Sequence, residues 1–368
     1  MIPEAILTIL STLTDAGEEA YLVGGCVRDL LLGRRINDWD ITTSARPDTV
    51  EALFEKTVPT GIAHGTVTVI LQKIKAEVTT FRTEGKYKDH RHPDAVQFVG
   101  RLDEDLARRD FTVNAMAMDV HGRITDLHGG REDLERKLIR CVGNAEARFT
   151  EDALRMFRAY RFSAQLGFEI DGEIKNAVLS CHSFARELSA ERIRDELEKL
   201  LVSDSSELLH ALAEAGLLER FGIETANRAC ELSALPCERL VRWAGAFVCY
   251  PQLGKNVLRF DKYSQRLAAQ AATLWSIPFT RQGCKKLIAE YGADVAACYA
   301  KGKGHFAEYE AILASGECVE LSQLAVSGSD LPFSGPLVGK TLSDMLRYVL
   351  EHPEENKKEL LLSRFSIQ

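Results

Sequence analysis

The chain is 368 residues long, enough for two or more packed units rather than a single core. With 45% hydrophobic and 27% charged residues it is neither a disordered chain nor a membrane-spanning one, and no stretch reaches the roughly 18 apolar residues of a membrane helix. Its 46 basic and 54 acidic residues leave a formal charge of −8, so a basic surface gripping nucleic acid or anionic lipid along the whole chain is excluded and any such site must be local. The nine cysteines, Cys26, Cys141, Cys181, Cys230, Cys237, Cys249, Cys284, Cys298 and Cys318, form an odd, scattered set with no CxxC pair. They are expected as reduced core residues, not as a disulfide framework or a thiolate zinc site. No Lys or Arg precedes the short apolar run Ala5 to Leu10, so no secretory leader is expected and the chain is placed in the cytoplasm.

In chain order, Ile6, Ile9, Leu10 and Leu13 recur at helical spacing and predict a first helix ending near Asp15 to Gly17. From there to about residue 120, short β-rich runs at Tyr21 to Val23, Trp39 to Ile41, Thr66 to Leu71, Glu77 to Phe81 and Val96 to Val99 alternate with turns and with a helical stretch from Val27 to Leu32. This is a mixed α/β region. Beyond about residue 145 helical periods take over, at Asp152 to Leu166, Ala190 to Leu201, Glu207 to Leu218 and Glu238 to Val248. The remainder is expected to be all-helical, with breaks near Ser203 to Ser206, Leu235-Pro236 and Ser327 to Gly339.

Three constellations carry chemistry. In the stretch Leu22 to Thr43, a short apolar strand leads into Gly24-Gly25 and then directly into a helix, a geometry that offers bare amides to a phosphate. The same pair also serves as a plain tight turn. Arg28, one turn on, adds a fork of donors for the same anion. Asp38-Trp39-Asp40 follows; on a strand, period two sets both carboxylates on one face, where hard oxygen donors suit Mg²⁺. Glu77, sharing a strand face with Thr79 and Phe81, is a candidate third carboxylate, or simply a solvated charge. The second constellation is Arg108-Arg109-Asp110-Phe111-Thr112-Val113-Asn114, where Asp110 and Asn114 lie four apart on one helical face, suited to a pair of ribose hydroxyls. Arg108 and Arg109, bracketed by Asp105 and Asp110, also fit a salt-bridged helix start. In the third, Asp152 stands one turn ahead of Arg155, Arg158 and Arg161, so one helix is expected to carry an acid and then an arginine stripe.

In their order and spacing these strings resemble the motifs of the class II tRNA nucleotidyltransferase and bacterial poly(A) polymerase family, over about residues 20 to 200. The resemblance implies an N-terminal α/β head with the mixed sheet of a DNA polymerase beta-like nucleotidyltransferase (1–140), followed by an all-α neck (141–202), body (203–300) and tail (301–368). It implies Asp38 and Asp40 as ligands of two Mg²⁺ ions; Glu77 stays beside them as the candidate third catalytic carboxylate read from its strand face. Gly24, Gly25 and Arg28 would then hold the triphosphate, Arg109, Asp110 and Asn114 the phosphates and ribose, and Asp152 and Arg155 the base, with Arg158 and Arg161 orienting that pair or reaching the phosphates. The substrates would be ATP and CTP, the partner the 3′ acceptor end of tRNA, with no membrane partner, and the enzyme a monomer or homodimer.

Base choice without a template has a chemical basis. C and A both present an amino donor beside a ring-nitrogen acceptor, whereas U and G reverse that order, so a carboxylate beside a guanidinium accepts the first two and leaves buried groups unpaired against the others. At roughly 1–3 kcal/mol per bidentate contact, this supports at least tenfold discrimination. The resemblance leaves several activities open: CCA addition, A addition alone, CC addition alone, poly(A) synthesis, or a catalytically silent RNA-binding relative. Family members that add only CC lack a loop that this chain has at Arg82 to Pro93, so A addition is expected here. His90 and His92 in that segment find no acidic or cysteine partner that completes a metal site and are expected to be solvated. The intact Asp38 and Asp40 pair favours an enzyme.

Overall fold

The computed structural model describes residues 2–84 and 96–365. Most of the segment from Arg82 to Pro93, with His90 and His92, therefore lies outside the described residues. Helix α1 (Glu4–Asp15) precedes strand β1 (Ala20–Val23), helix α2 (Gly25–Leu31), strand β2 (Trp39–Thr43) and helix α3 (Pro47–Leu53). Strands β3 (Thr57–Gly61), β4 (Thr66–Leu71) and β5 (Ile74–Thr80) follow, then the short β6 (Arg82–Glu84) and β7 (Val96–Phe98) and helix α4 (Leu102–Ala107). Strands β8 (Met116–Met118) and β9 (Ile124–Asp126) complete a seven-stranded sheet of order β3-β4-β5-β2-β1-β8-β9.

The sheet is mixed. Strand β2 runs parallel to β5 and antiparallel to β1, while β3–β4, β4–β5, β1–β8 and β8–β9 are antiparallel. Alternation along β2 explains the two faces: Trp39 and Ile41 are buried at 8% and 1% exposure, and Asp40 points the other way. Helix α1 lies against β1, β2, β4 and β5, sinking Ile6, Ile9, Leu10 and Leu13 completely, as their i, i+3, i+4, i+7 spacing requires. The opposite face carries the polar site.

Helices α5 (Gly130–Arg136), α6 (Ala145–Glu151), α7 (Leu154–Leu166), α8 (Gly172–Cys181) and α9 (Ala190–Leu201) continue the chain, with two-residue strands β10 (Leu138–Ile139) and β11 (Glu169–Ile170) pairing in parallel. The expectation of pure helix beyond residue 145 is thus corrected at β11. Three strands of the main sheet, β3, β8 and β9, carried no readable β signal: Pro59 interrupts the first and Met-Ala-Met makes up the second. By contacts the chain forms two compact units, residues 1–200 with 211–220, and 201–210 with 221–368.

The second unit is helical, with α10 (Leu208–Glu214) at its start shared between the two ranges, then α11 (Arg239–Cys249), α12 (Lys262–Thr273), α13 (Arg281–Tyr291), α14 (Ala293–Gly302), α15 (Phe306–Ala314), α16 (Pro336–Glu351) and α17 (Lys358–Phe365). Its core holds an aromatic triad of Trp243, Phe247 and Phe260, with the Trp243 and Phe260 rings 4.8 Å apart edge to face. All nine cysteines are free thiols, eight of them buried and Cys237 exposed. No helix among the described residues is long and apolar enough to cross a membrane.

Candidate active site

Asp38 lies one residue before β2, exposed, and the half-buried Asp40 is the second residue of that strand. The parallel register sets Asp40 directly beside the exposed Glu77 of β5, so two carboxylates stand abreast on adjacent strands. Burial pushes the Asp40 carboxyl up, the neighbouring Glu77 adds to this, Arg109 opposes it and Asp38 adds again, bringing it to about 6. Three carboxylates thus crowd one place on the sheet, with the Arg109 guanidinium opposing them. Among the described residues only His352, Glu354 and Glu355 bring three such ligand atoms within 4.8 Å of one another, so Asp38, Asp40 and Glu77 are splayed wider than a closed ligand cage. Hard oxygen donors with unbalanced negative charge fit a divalent cation.

Gly24 sits above Asp40 with φ +77° and ψ −136°, a region open to glycine alone. A Cβ there would lie 3.3 Å from Arg109 Nη1 and 3.7 Å from Asp40 Oδ2. The bare backbone therefore borders both a guanidinium and a carboxylate. Arg109 is anchored by Nη2, which donates to Asp105 Oδ2 at 2.9 Å, and its buried Nε has no hydrogen-bond partner among the described residues. Asp105, wholly buried, also accepts from Arg108 Nη2 at 2.8 Å and from Thr42 Oγ1 at 3.2 Å. Burial pushes the Asp105 carboxyl up, but Arg109 and Arg108 outweigh it and hold it below its usual range. Arg108 and Arg109 thus follow the end of α4 rather than starting a helix, and Asp105 is what fixes their direction.

Arg28 is buried on α2. It donates Nε and Nη2 to the two oxygens of Asp29, each at 2.9 Å, and Nη1 to Asn114 Oδ1 at 2.7 Å. Three of its five N–H groups are thereby used, leaving one on each terminal nitrogen. Asp110 and Asn114 do come together, with Asn114 Nδ2 donating to Asp110 Oδ1 at 3.3 Å, but on a 3₁₀ turn over Thr112–Asn114 rather than an α-helical face. Asp110 Oδ2 accepts from Arg158 Nε at 2.8 Å and Nη2 at 2.5 Å. Burial raises the Asp110 carboxyl, yet the bonded Arg158 and the nearby Arg155 prevail and hold it far below the ordinary carboxylate range.

The expectation of one helix bearing Asp152 and the arginines is corrected. Asp152 is the extended residue that ends α6, and α7 begins after it. Its Oδ1 accepts the Leu154 amide at 3.0 Å, which is why the chain breaks there, and its Oδ2 pairs with Arg192 of α9 at 3.0 Å. Arg155 donates to Glu151 Oε2 at 2.6 Å and to the carbonyls of Arg148 and Arg108, each at 3.2 Å. Arg161 bonds Glu196, whose other oxygen lies 3.9 Å from Arg158 Nη1. Asp152 and Arg155 therefore each have their own structural partner, Arg192 for one and Glu151 for the other.

The Phe162 ring joins these parts. The guanidinium of Arg161 lies 3.7 Å over it, those of Arg28 and Arg158 lie 5.2 and 5.4 Å away, and Phe111 meets it edge to face at 5.7 Å. Gly24, Gly25, Arg28, Asp40, Glu77, Arg109, Asp110 and Asn114 thus form one connected site, with Asp38 at its rim. Arg158 and Arg161 reach that site through Asp110 and Phe162, and Asp152 and Arg155 stand where α6 gives way to α7. Asp105, Phe162, Arg192 and Glu196 are the members that sequence reasoning did not assign. Asp105 stood four residues before Arg109, a readable acid–base spacing, whereas Arg192 and Glu196 lie 40 and 35 residues from their partners and gave no local signal.

Residues 20–140 match the family described as Poly A polymerase head domain, and residues 167–226 the one described as probable RNA and SrmB- binding site of polymerase A. A CCA-adding enzyme of Lactobacillus helveticus is 54% identical over 200 residues, a match spanning 54% of this chain and half of that one. A CCA-adding enzyme of Geobacillus thermodenitrificans is 40% identical over 385 residues, covering 96% of this chain and 94% of the relative. Among solved structures, the Bacillus stearothermophilus CCA-adding enzyme in complex with CTP superposes with a TM-score of 0.83 at 36% identity, over 99% of this chain and 98% of that one. The chain therefore belongs to the family of CCA-adding enzymes, tRNA nucleotidyltransferases with a polymerase beta-like head.

Proposed function

We propose that this protein adds C, C and A in turn to the 3′ end of tRNA without a nucleic-acid template, using CTP and ATP and releasing pyrophosphate. The observation that carries this reading is the pairing of Asp40 with Glu77 directly below Gly24, with Arg109 and its unpartnered Nε alongside. The relative solved with CTP supports CTP as a substrate. Residues 1–140 serve as head, 141–202 as neck, 203–300 as body and 301–368 as tail. The Arg82 to Pro93 segment, as a feature of the sequence, supports A addition as well as C addition.

The donor set suits Mg²⁺, which Asp38 and Asp40 would hold with Glu77 beside them, and which when bound would acidify the RNA 3′-hydroxyl and neutralise the leaving pyrophosphate. In the transfer, the 3′-oxygen bonds to the α-phosphorus as the bond to the pyrophosphate oxygen breaks, the electron pair leaves with pyrophosphate and the hydroxyl proton passes to solvent. Gly24 and Gly25 let the triphosphate approach the backbone. Arg109 meets it with its spare donors and Arg28 with the two that Asp29 and Asn114 leave. Asp110, held ionised by Arg158, and Asn114 receive the ribose hydroxyls. Asp152 and Arg155 read the base edge, each pre-set by Arg192 and Glu151, while Arg158 and Arg161 hold the ribose and base elements together.

The test offers each of the four NTPs singly with Mg²⁺ to tRNA ending at the discriminator base or in CC. C on the first and A on the second, with U and G rejected, is the expected outcome, and Asp40→Ala abolishes all transfer. Activity retained in that variant contradicts the cation assignment, and equal use of all four NTPs contradicts the base-reading assignment.

A further inference from the structure

The residues of the active site all belong to the first unit. A cavity of about 750 Å³, a size typical of small-molecule sites, lies wholly in the second, among α11, α12 and the chain that follows α14. Its shape follows from what surrounds it. Ala269, Ala272 and Thr273 recur at helical spacing on α12 and leave room that longer side chains would fill. Phe247 of α11 and the half-buried Trp275 supply flat apolar surface. Trp275 is held in place, because its ring lies against the backbone of Gly302, where no side chain fits, and Lys303 follows directly.

The charge on this cavity is one-sided. Lys255 and Lys303 line it and no carboxylate does, and neither ammonium forms an ion pair with an acid among the described residues. In a chain with eight more acids than bases, two such cations at one concavity are available to an anion from outside. A phosphate monoester carries about −1.5 to −2 near neutral pH, which two ammonium groups match. A polynucleotide track needs a longer row of cations. Thr273 Oγ1 donates its proton to the Gln270 carbonyl at 2.7 Å and so keeps its lone pairs for a hydroxyl donor.

We propose that this cavity binds a nucleoside monophosphate, in addition to the nucleotide that the active site takes. The base lies against Phe247 and Trp275, a sugar hydroxyl donates to Thr273, and Lys255 and Lys303 meet the phosphate. The base is held by its face, so the site takes more than one base and grips the larger purines best.

Trp275 reports on the site directly, since the other two tryptophans, Trp39 and Trp243, are buried. Full-length protein is titrated with AMP in chelator, without tRNA, and its tryptophan fluorescence followed. Saturable quenching is expected in the wild type and is lost in Trp275→Phe. Lys255→Glu and Lys303→Glu each weaken AMP binding about tenfold, the scale of one charge-assisted contact, while melting with the wild type. Adenosine, lacking the phosphate, binds the wild type at least tenfold more weakly than AMP, a comparison that needs no variant. Absence of saturable quenching, quenching that survives Trp275→Phe, or equal affinity for AMP and adenosine overturns the site. Displacement of AMP by equimolar tRNA assigns the cavity to a nucleotide of RNA and overturns the free nucleotide as its ligand.

Discussion

Two aspartates of this site have opposite relations to pH. The Asp40 carboxyl, raised to about 6, contributes stability only below its unfolded range and loses it as pH rises through 6, so at neutral pH its charge strains the metal-free fold. Asp40→Asn therefore raises the melting temperature in chelator at pH 7.5, a gain of about 3 kcal/mol in stability for a shift of this size, which fades as pH falls to about 4. Asp110, depressed by Arg158 despite its burial, contributes stability above its unfolded range and loses it in acid. Asp110→Asn therefore destabilises at pH 7.5, by about 2 kcal/mol for a charge-assisted pair, and converges on wild type as pH falls. Thermal melts of both variants across pH 3–8 check the signs; an Asp40→Asn variant less stable than wild type at pH 7.5 contradicts the crowded-carboxylate account. Gly24→Ala meets a glycine-only backbone and a Cβ 3.3 Å from Arg109, so its KM for CTP rises at least tenfold, consistent with about 1–3 kcal/mol of backbone strain.

Elements whose periodicity was strong were legible in the sequence. Helix α1 follows from Ile6, Ile9, Leu10 and Leu13, and the stripe it sinks into the sheet sets the cost of Ile9→Ala at about 2–5 kcal/mol in chemical denaturation. Strand β2 follows from the alternation of Trp39, Asp40 and Ile41, and with it the presentation of Asp40. What stayed hidden was what distant chain supplies. The register that sets Glu77 beside Asp40 depends on a strand pairing 37 residues apart. The break between α6 and α7 depends on Asp152 capping the Leu154 amide, a competition between side chain and helix that periodicity does not record. Phe162 read as an apolar helix residue, yet three guanidinium groups gather over its ring from α2 and α7. Phe162→Leu keeps the apolar volume and removes the π face, so it raises the KM for both CTP and ATP several-fold, the scale of two or three contacts worth about 0.5–1 kcal/mol each. Unchanged KM values for both nucleotides in that variant contradict the hub.

Across the whole molecule, the charge of −8 and the recognition of a polyanion are reconciled by where the arginines go. Arg28, Arg108, Arg109, Arg155, Arg158 and Arg161 are each tied to an acid of the site itself, and Arg28 and Arg109 keep donors over for a nucleotide, so they order the site rather than coat the surface with positive charge. RNA is then held through few phosphate contacts, and the slope of log tRNA affinity against log salt stays shallower than about −4, corresponding to some four contacts or fewer. A slope near −8 contradicts this. The family assignment gives the central claim, ordered and self-terminating addition, its most direct measurement: wild-type protein, Mg²⁺, CTP and ATP together, with tRNA ending at the discriminator base, and the product read at single-nucleotide resolution. The account predicts a product three nucleotides longer, ending in CCA, with no further growth. A tRNA that is not extended at all, or a tail that keeps lengthening, contradicts it.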